Sequence, residues 1–137
     1  MKLAYIDSCV WITRIEGLSA YRKIINANLK KLKLDGWILC ASDAVVLEVL
    51  QKPYKDNNQV IISIYNKLFN QTKMLKIFKD IFKNALTVAN TENLKAMDAV
   101  HVSIAIKSGC EYFVSTAPNL RSLKAIPSMW INLNMKT

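Results

Sequence analysis

Short runs of strand-forming residues alternate along this chain with longer stretches whose apolar positions recur at helical spacing. That alternation limits the fold more than any other feature. LAYID at 3–7, WILCA at 37–41, EYFVST at 111–116 and MWINL at 129–133 read as strands. Between the first two, residues 18–34 place Tyr21, Ile24, Ile25, Leu29 and Leu32 on one helical face, with Ser19 as cap and Asp35-Gly36 as stop. Ser42 or Asp43 is expected to cap the next helix, which runs through AVVLEVLQK until Pro53 ends it. Further helices are expected over 57–70, from about 80 to 90, and through LKAMDAVHVSIAIKSG at 94–109, while KMLKIF at 73–78 fits neither period. Strands joined by helical connections imply a parallel sheet with helices on both faces. The expected fold is therefore α/β, a three-layer α/β/α sandwich around a central parallel sheet of four or five strands.

A chain of 137 residues has room for one sizeable core, so a single domain over 1–137 is expected. The 52% hydrophobic content, with only three prolines and three glycines, argues against disorder and against a turn-rich all-β fold. Cys9, Cys40 and Cys110 are odd in number, widely spaced and not arranged as CxxC, so they read as three buried thiols in a reducing cytosol, not as a disulfide framework or zinc site. Asp7 interrupts the amino-terminal apolar run before a signal-peptide core forms, and no apolar stretch is long enough to span a bilayer. The expectation is a cytoplasmic protein without a membrane partner. Nineteen Lys and Arg against ten Asp and Glu give +9, which favours a polyanion or an acidic protein as partner. Any single cluster, such as Lys73, Lys76, Lys79 and Lys83, is equally well explained as a solvated helix face.

Three acids stand in apolar settings. Asp98 lies beside Ala99, Val100 and Val102; Asp7 ends the first strand; Glu48 sits about one and a half turns into the helix leaving the second strand. A carboxylate placed among apolar residues costs free energy unless its charge is compensated. In an open α/β sheet, functional groups gather at the carboxyl ends of the strands, so all three can face one cleft. Two aspartates and a glutamate together repel one another unless cations neutralise them, and oxygen ligands of this kind suit Mg²⁺ or Mn²⁺. One or two such ions can serve phosphodiester cleavage. Setting these acids aside leaves nineteen basic residues against seven acidic ones, a basic surface around an acidic centre, as a nuclease needs. Each acid also has a plainer reading: Asp7 as a turn cap, Glu48 as a surface residue, Asp98 as a first-turn aspartate favoured by the helix dipole. His101, one turn beyond Asp98, reads as structural, and Asp43 as a helix cap. Trp11, Trp37 and Trp130 read as core or interface residues.

YIDSCVWI, the LEVL around Glu48 and above all LKAMDAVHVSIAIKSGCEYFVST resemble the PIN domain, in particular the VapC-type ribonuclease toxins of prokaryotic toxin–antitoxin pairs. The likeness runs from Leu3 to about Leu133, and its most specific part is 94–116. It implies a PIN-like fold and a metal-dependent endoribonuclease whose family acids fall on Asp7, Glu48 and Asp98, with Mg or Mn as cofactor. Ser8 falls where the family often has threonine or serine near the metal. The resemblance also implies an RNA substrate and a small antitoxin that blocks the cleft, and it allows a homodimer. Family members usually carry a further aspartate after the strand corresponding to YFVST, whereas this chain reads STAPNL, with Ala117 at that position and Asn119 two residues on. Ser115 and Thr116 keep neutral oxygens nearby, so a weaker second ion and reduced activity are expected. The alternative is a catalytically weakened PIN fold that binds RNA or protein without cutting. A receiver-like phosphoacceptor fits less well, because no acid pair adjoins the first strand.

Overall fold

A computed structural model describes residues 2–134. Its elements are β1 (Leu3–Ile6), α1 (Ser8–Glu16), α2 (Ser19–Leu34), β2 (Ile38–Ser42), α3 (Asp43–Lys55), α4 (Gln59–Asn70), β3 (Lys73–Leu75), α5 (Ile81–Glu92), α6 (Ala96–Lys107), β4 (Tyr112–Ser115) and β5 (Ser128–Trp130). A short 3₁₀ turn at Pro118–Leu120 links the last two strands. The strands pair in the order β3-β2-β1-β4-β5, and every pairing is parallel. This is the expected sandwich, and the fifth strand comes from the ambiguous 73–78 stretch.

All four residues of β1 are buried, as its central position requires, whereas the three-residue edge strands β3 and β5 are only partly covered. Crossovers from β1 to β2 and β2 to β3 run one way along the sheet, and the crossover from β3 to β4 runs back past β2 and β1. Right-handed connections then place α1 to α4 on one face and α5 and α6 on the other. The reversal creates a crevice between the carboxyl ends of β1 and β4, where open sheets of this kind collect their functional groups. The ladder aligns Ile6 with Val114, so the residues following each strand emerge side by side.

α6 is buried along an unbroken run from Ala99 to Ala105, which explains its nearly continuous apolar sequence. Gly109 ends it with φ of 79°, and Gly36 ends the turn after α2 with φ of 89°, both in the left-handed region that glycine enters without steric conflict. Two expectations need correction and a third holds in part. Leu18, not Ser19, occupies the cap position of α2, and no side chain caps it. Ser42 occupies the cap position of α3 as expected but makes no side-chain capping bond, its hydroxyl being paired with Tyr5, and Asp43 is the exposed first residue of the helix. Pro53 does not stop α3, which continues to Lys55. A proline so near the end removes a single helical hydrogen bond, and the last turn closes regardless through Asp56 N–H to the Lys52 carbonyl at 2.9 Å.

Candidate active site

Asp7 is placed by backbone geometry on both sides. Its N–H donates to the Val114 carbonyl at 2.9 Å, extending the β1–β4 ladder by one residue, and its Oδ1 accepts from the Ser8 N–H at 2.8 Å as the cap of α1. The capping role is therefore present, yet it occupies one carboxylate oxygen only. Oδ2 accepts from the Ser115 hydroxyl at 2.8 Å and from the Cys9 thiol at 3.4 Å. The residue is 4% exposed. Burial pushes its carboxyl above the ordinary aspartate range, against the opposing pull of His101 and the hydrogen bonds from Ser115 and Ser8.

Glu48 reaches the same region from the second turn of α3. Its Oε1 accepts from the Ser8 hydroxyl at 2.7 Å and from His101 Nε2. His101, 1% exposed on α6, holds the Tyr5 hydroxyl at Nδ1 at 2.7 Å, and Tyr5 lies 2.8 Å from the Ser42 hydroxyl. One proton assignment satisfies every member: Ser42 donates to Tyr5, Tyr5 donates to Nδ1, and Nε2–H donates to Glu48. The bond from His101 holds the Glu48 carboxyl below the usual glutamate range, despite partial desolvation. His101 thus acts on Glu48, and the structural role expected for it is what the contacts describe.

His101→Ala should therefore release Glu48 toward an ordinary carboxylate pKa and leave the Tyr5 hydroxyl with Ser42 alone. A stability loss of about 1–3 kcal/mol is expected for that buried network. The sign with pH follows from the lowered folded pKa of Glu48: its contribution is full above the unfolded glutamate value and is lost as pH falls through the folded one. Chemical denaturation across that acidic window should show a smaller acid-dependent loss in the variant than in the parent. An unchanged Glu48 titration in the variant would contradict the assignment.

Asp98, half-buried in the first turn of α6, accepts at Oδ2 from the Asn119 amide at 3.2 Å. Asp7, Ser8, Glu48, Asp98 and Ala117 all line one open cleft of about 280 Å³ at the carboxyl edge of the sheet. Ser115 lies buried behind Asp7, with its oxygen also accepting from the Ala117 N–H at 3.1 Å. Thr116 is not among the residues lining the cleft; its carbonyl accepts from Trp130 Nε1 at 3.0 Å.

The donor chemistry suits Mg²⁺ or Mn²⁺, being carboxylate oxygens with hydroxyls behind them, and Asp7 is a buried acid whose desolvation a cation would relieve. Among the described residues, however, no three His, Cys, Asp or Glu side chains converge closely enough to hold one ion. The Glu48 carboxylate is turned onto His101.

Two residues that line the cleft, Cys9 and Gln51, and one that holds Asp98 from beside it, Asn119, were not legible as such. Cys9, read as a buried thiol, is half-buried on the cleft wall against Asp7. Gln51 shares the cleft because it lies three residues beyond Glu48 on the same helix face, a spacing the sequence does offer. Asn119 reaches Asp98 only through the turn after β4, and nothing local signals that contact.

The PIN domain family model matches residues 4–124, and the chain belongs to that family. No curated protein matches the sequence. Among solved structures, the VapBC2 assembly of Rickettsia felis bound to a promoter DNA fragment superposes with TM-score 0.70 at 12% identity, covering 93% of this chain and 97% of that one. DNA-bound VapBC from Salmonella typhimurium gives 0.65 at 12% identity, covering 94% and 98%. VapC20 of Mycobacterium tuberculosis, a toxin that cleaves the sarcin-ricin loop, gives 0.61 at 13% identity, covering 80% and 86%. At these identities the likeness establishes the shared fold. Among the described residues no helix is long and apolar enough to cross a membrane.

Proposed function

We propose that this chain is a Mg²⁺- or Mn²⁺-dependent endoribonuclease and the toxin of a toxin–antitoxin pair. The observation that carries the proposal is the opening of Asp7, Glu48 and Asp98, delivered by three separate segments, onto one cleft beside the β1/β4 crevice. Membership of the PIN family supports it, and so does the RNA-cleaving activity of VapC20. The VapBC assemblies among the structural neighbours support an antitoxin as partner.

In this reading Asp7, Glu48 and Asp98 hold the ion, which when bound supplies the Lewis acidity that activates water and offsets charge on the phosphate. The remaining residues position these three. The Ser8 N–H and the Ser115 hydroxyl fix the two oxygens of Asp7, Asn119 orients Asp98, and the Ser8 hydroxyl steadies Glu48. Preorganisation of this kind keeps the carboxylates aimed before substrate arrives. Incubating the purified protein with a panel of structured RNAs, with Mn²⁺ or with chelator, tests the proposal. Metal-dependent internal cleavage is the expected result, and intact RNA under every condition would reject it.

A non-cutting PIN fold is the second reading, favoured by one residue. Ala117 lines the acidic cleft at the position where the family resemblance expects a fourth carboxylate. Ala117→Asp should then tighten Mn²⁺ binding and raise single-turnover cleavage by roughly tenfold, and only while the other three acids are intact. Calorimetry paired with rapid-quench cleavage reads both quantities, and no change in either would remove Ala117 from the ligand set.

A further inference from the structure

A second cavity, of about 270 Å³, opens at the opposite, amino edge of the sheet. α1 begins just after its cap Asp7 and runs back along the sheet, so Trp11 and Arg14 reach this far edge. Lys33 arrives from the end of α2, Trp37 from the entry to β2, and Gln71 and Lys73 from the entry to β3. The length of β2, about 13 Å at the usual strand rise, separates this cavity from the carboxylate cleft.

Among the described residues, three cations and no carboxylate line this wall. Among the described residues no lysine or arginine forms an ion pair with a carboxylate, and the Arg14 guanidinium makes no hydrogen bond to the protein. Arg14 is half-buried, and desolvation pulls its pKa below the ordinary arginine value. An anion bound here would complete the open Arg14 donors and meet two exposed ammonium groups, Lys33 and Lys73, on the same wall. The aromatic residues define which anion. Trp11 is 1% exposed and forms the floor. Trp37 has Lys2 over its ring at 5.3 Å and Tyr112 tilted against it at 4.9 Å, so two neighbours already compete for its ring. Recognition falls to the guanidinium and the two ammonium groups, a set matched to phosphoryl oxygens.

We propose that the pocket formed by Arg14, Lys33 and Lys73 is a phosphate-binding site, sized for the phosphoryl end of a single nucleotide. Two sources present that chemistry, a free nucleotide and the 5′-phosphorylated end of an RNA strand. The site stands apart from the nuclease reading, because its geometry involves none of the three acids.

The test is equilibrium binding to the full chain in chelator, so that no RNA is cut. Pyrophosphate, uridine 5′-monophosphate and a hexanucleotide RNA with or without a 5′-phosphate are each titrated by calorimetry and by tryptophan fluorescence, to which Trp11 and Trp37 report from the pocket wall. Saturable binding of pyrophosphate with Kd below about 1 mM is expected. Arg14→Gln and Lys73→Gln should each weaken it at least about tenfold, with unchanged thermal unfolding. Lys33→Gln, at an exposed position, provides the variant least able to disturb the fold. A 5′-phosphorylated hexamer that binds more tightly than the mononucleotide identifies an RNA end as the source, and equal affinities identify a free nucleotide. No saturable binding at millimolar concentration, or binding indifferent to the Arg14→Gln/Lys73→Gln double variant, would overturn the assignment.

Discussion

Asp7→Asn, Glu48→Gln and Asp98→Asn are each expected to abolish growth arrest on expression without antitoxin and to lower RNA cleavage by roughly a hundredfold or more. Each change removes a ligand charge at nearly constant volume. For Asp7 the expectation extends to stability and has the opposite sign. The folded carboxyl titrates above its unfolded value because it is buried. Its favourable contribution is therefore complete below the unfolded aspartate pKa and is lost as pH rises through the folded one, leaving a desolvated charge at neutral pH. Asparagine keeps an oxygen that accepts from the Ser8 N–H, so the α1 cap survives. Asp7→Asn should accordingly be more stable than the parent at neutral pH by on the order of 1 kcal/mol, with the gap closing on acidification. Parallel denaturation curves at neutral and acidic pH, run beside the toxicity assay, separate loss of function from loss of fold. Three folded variants as toxic as the parent would show that the acids are not the site.

RNA affinity should also depend steeply on salt. The chain carries +9, and among the described residues its lysines and arginines are not engaged by carboxylates. If binding neutralises about six phosphates, counterion release predicts a roughly thousandfold loss of affinity between about 50 and 200 mM salt. The measurement is made on Asp7→Asn so that the RNA survives. A flat dependence would assign the positive charge to an acidic antitoxin or to solubility.

What the sequence disclosed follows how local each interaction is. The strand at LAYID, the stop at Asp35-Gly36 and the run from α6 into β4 are legible because apolar periodicity and left-handed glycines act within a few residues. β3 was not legible: three residues at a sheet edge, half-covered, become a strand only by pairing Cys40 with Lys73 and its neighbours. The same division runs through the site. Chain order and strand ends brought Asp7, Glu48, Asp98 and Ala117 to one cleft, since each sits at a position that topology fixes. The grip of His101 on Glu48 and of Asn119 on Asp98 depends on helices and turns far apart in sequence, and only packing reveals those partners. Thr116 was expected to keep an oxygen near the acids because the family resemblance places its fourth acid in this loop; it lies one residue past the end of β4 and is not among the residues lining the cleft.

The proposed function requires Asp7, Glu48 and Asp98 to bind a divalent ion in the carboxylate cleft. Electron paramagnetic resonance titration of Mn²⁺ into the purified protein measures this binding most directly, because free and bound ion give distinct signals without any RNA present. Saturable binding to the parent chain, and loss of that binding in both Asp7→Asn and Glu48→Gln, are the expected results. Saturable binding that persists in both variants, or free Mn²⁺ throughout the parent titration, would contradict the proposal.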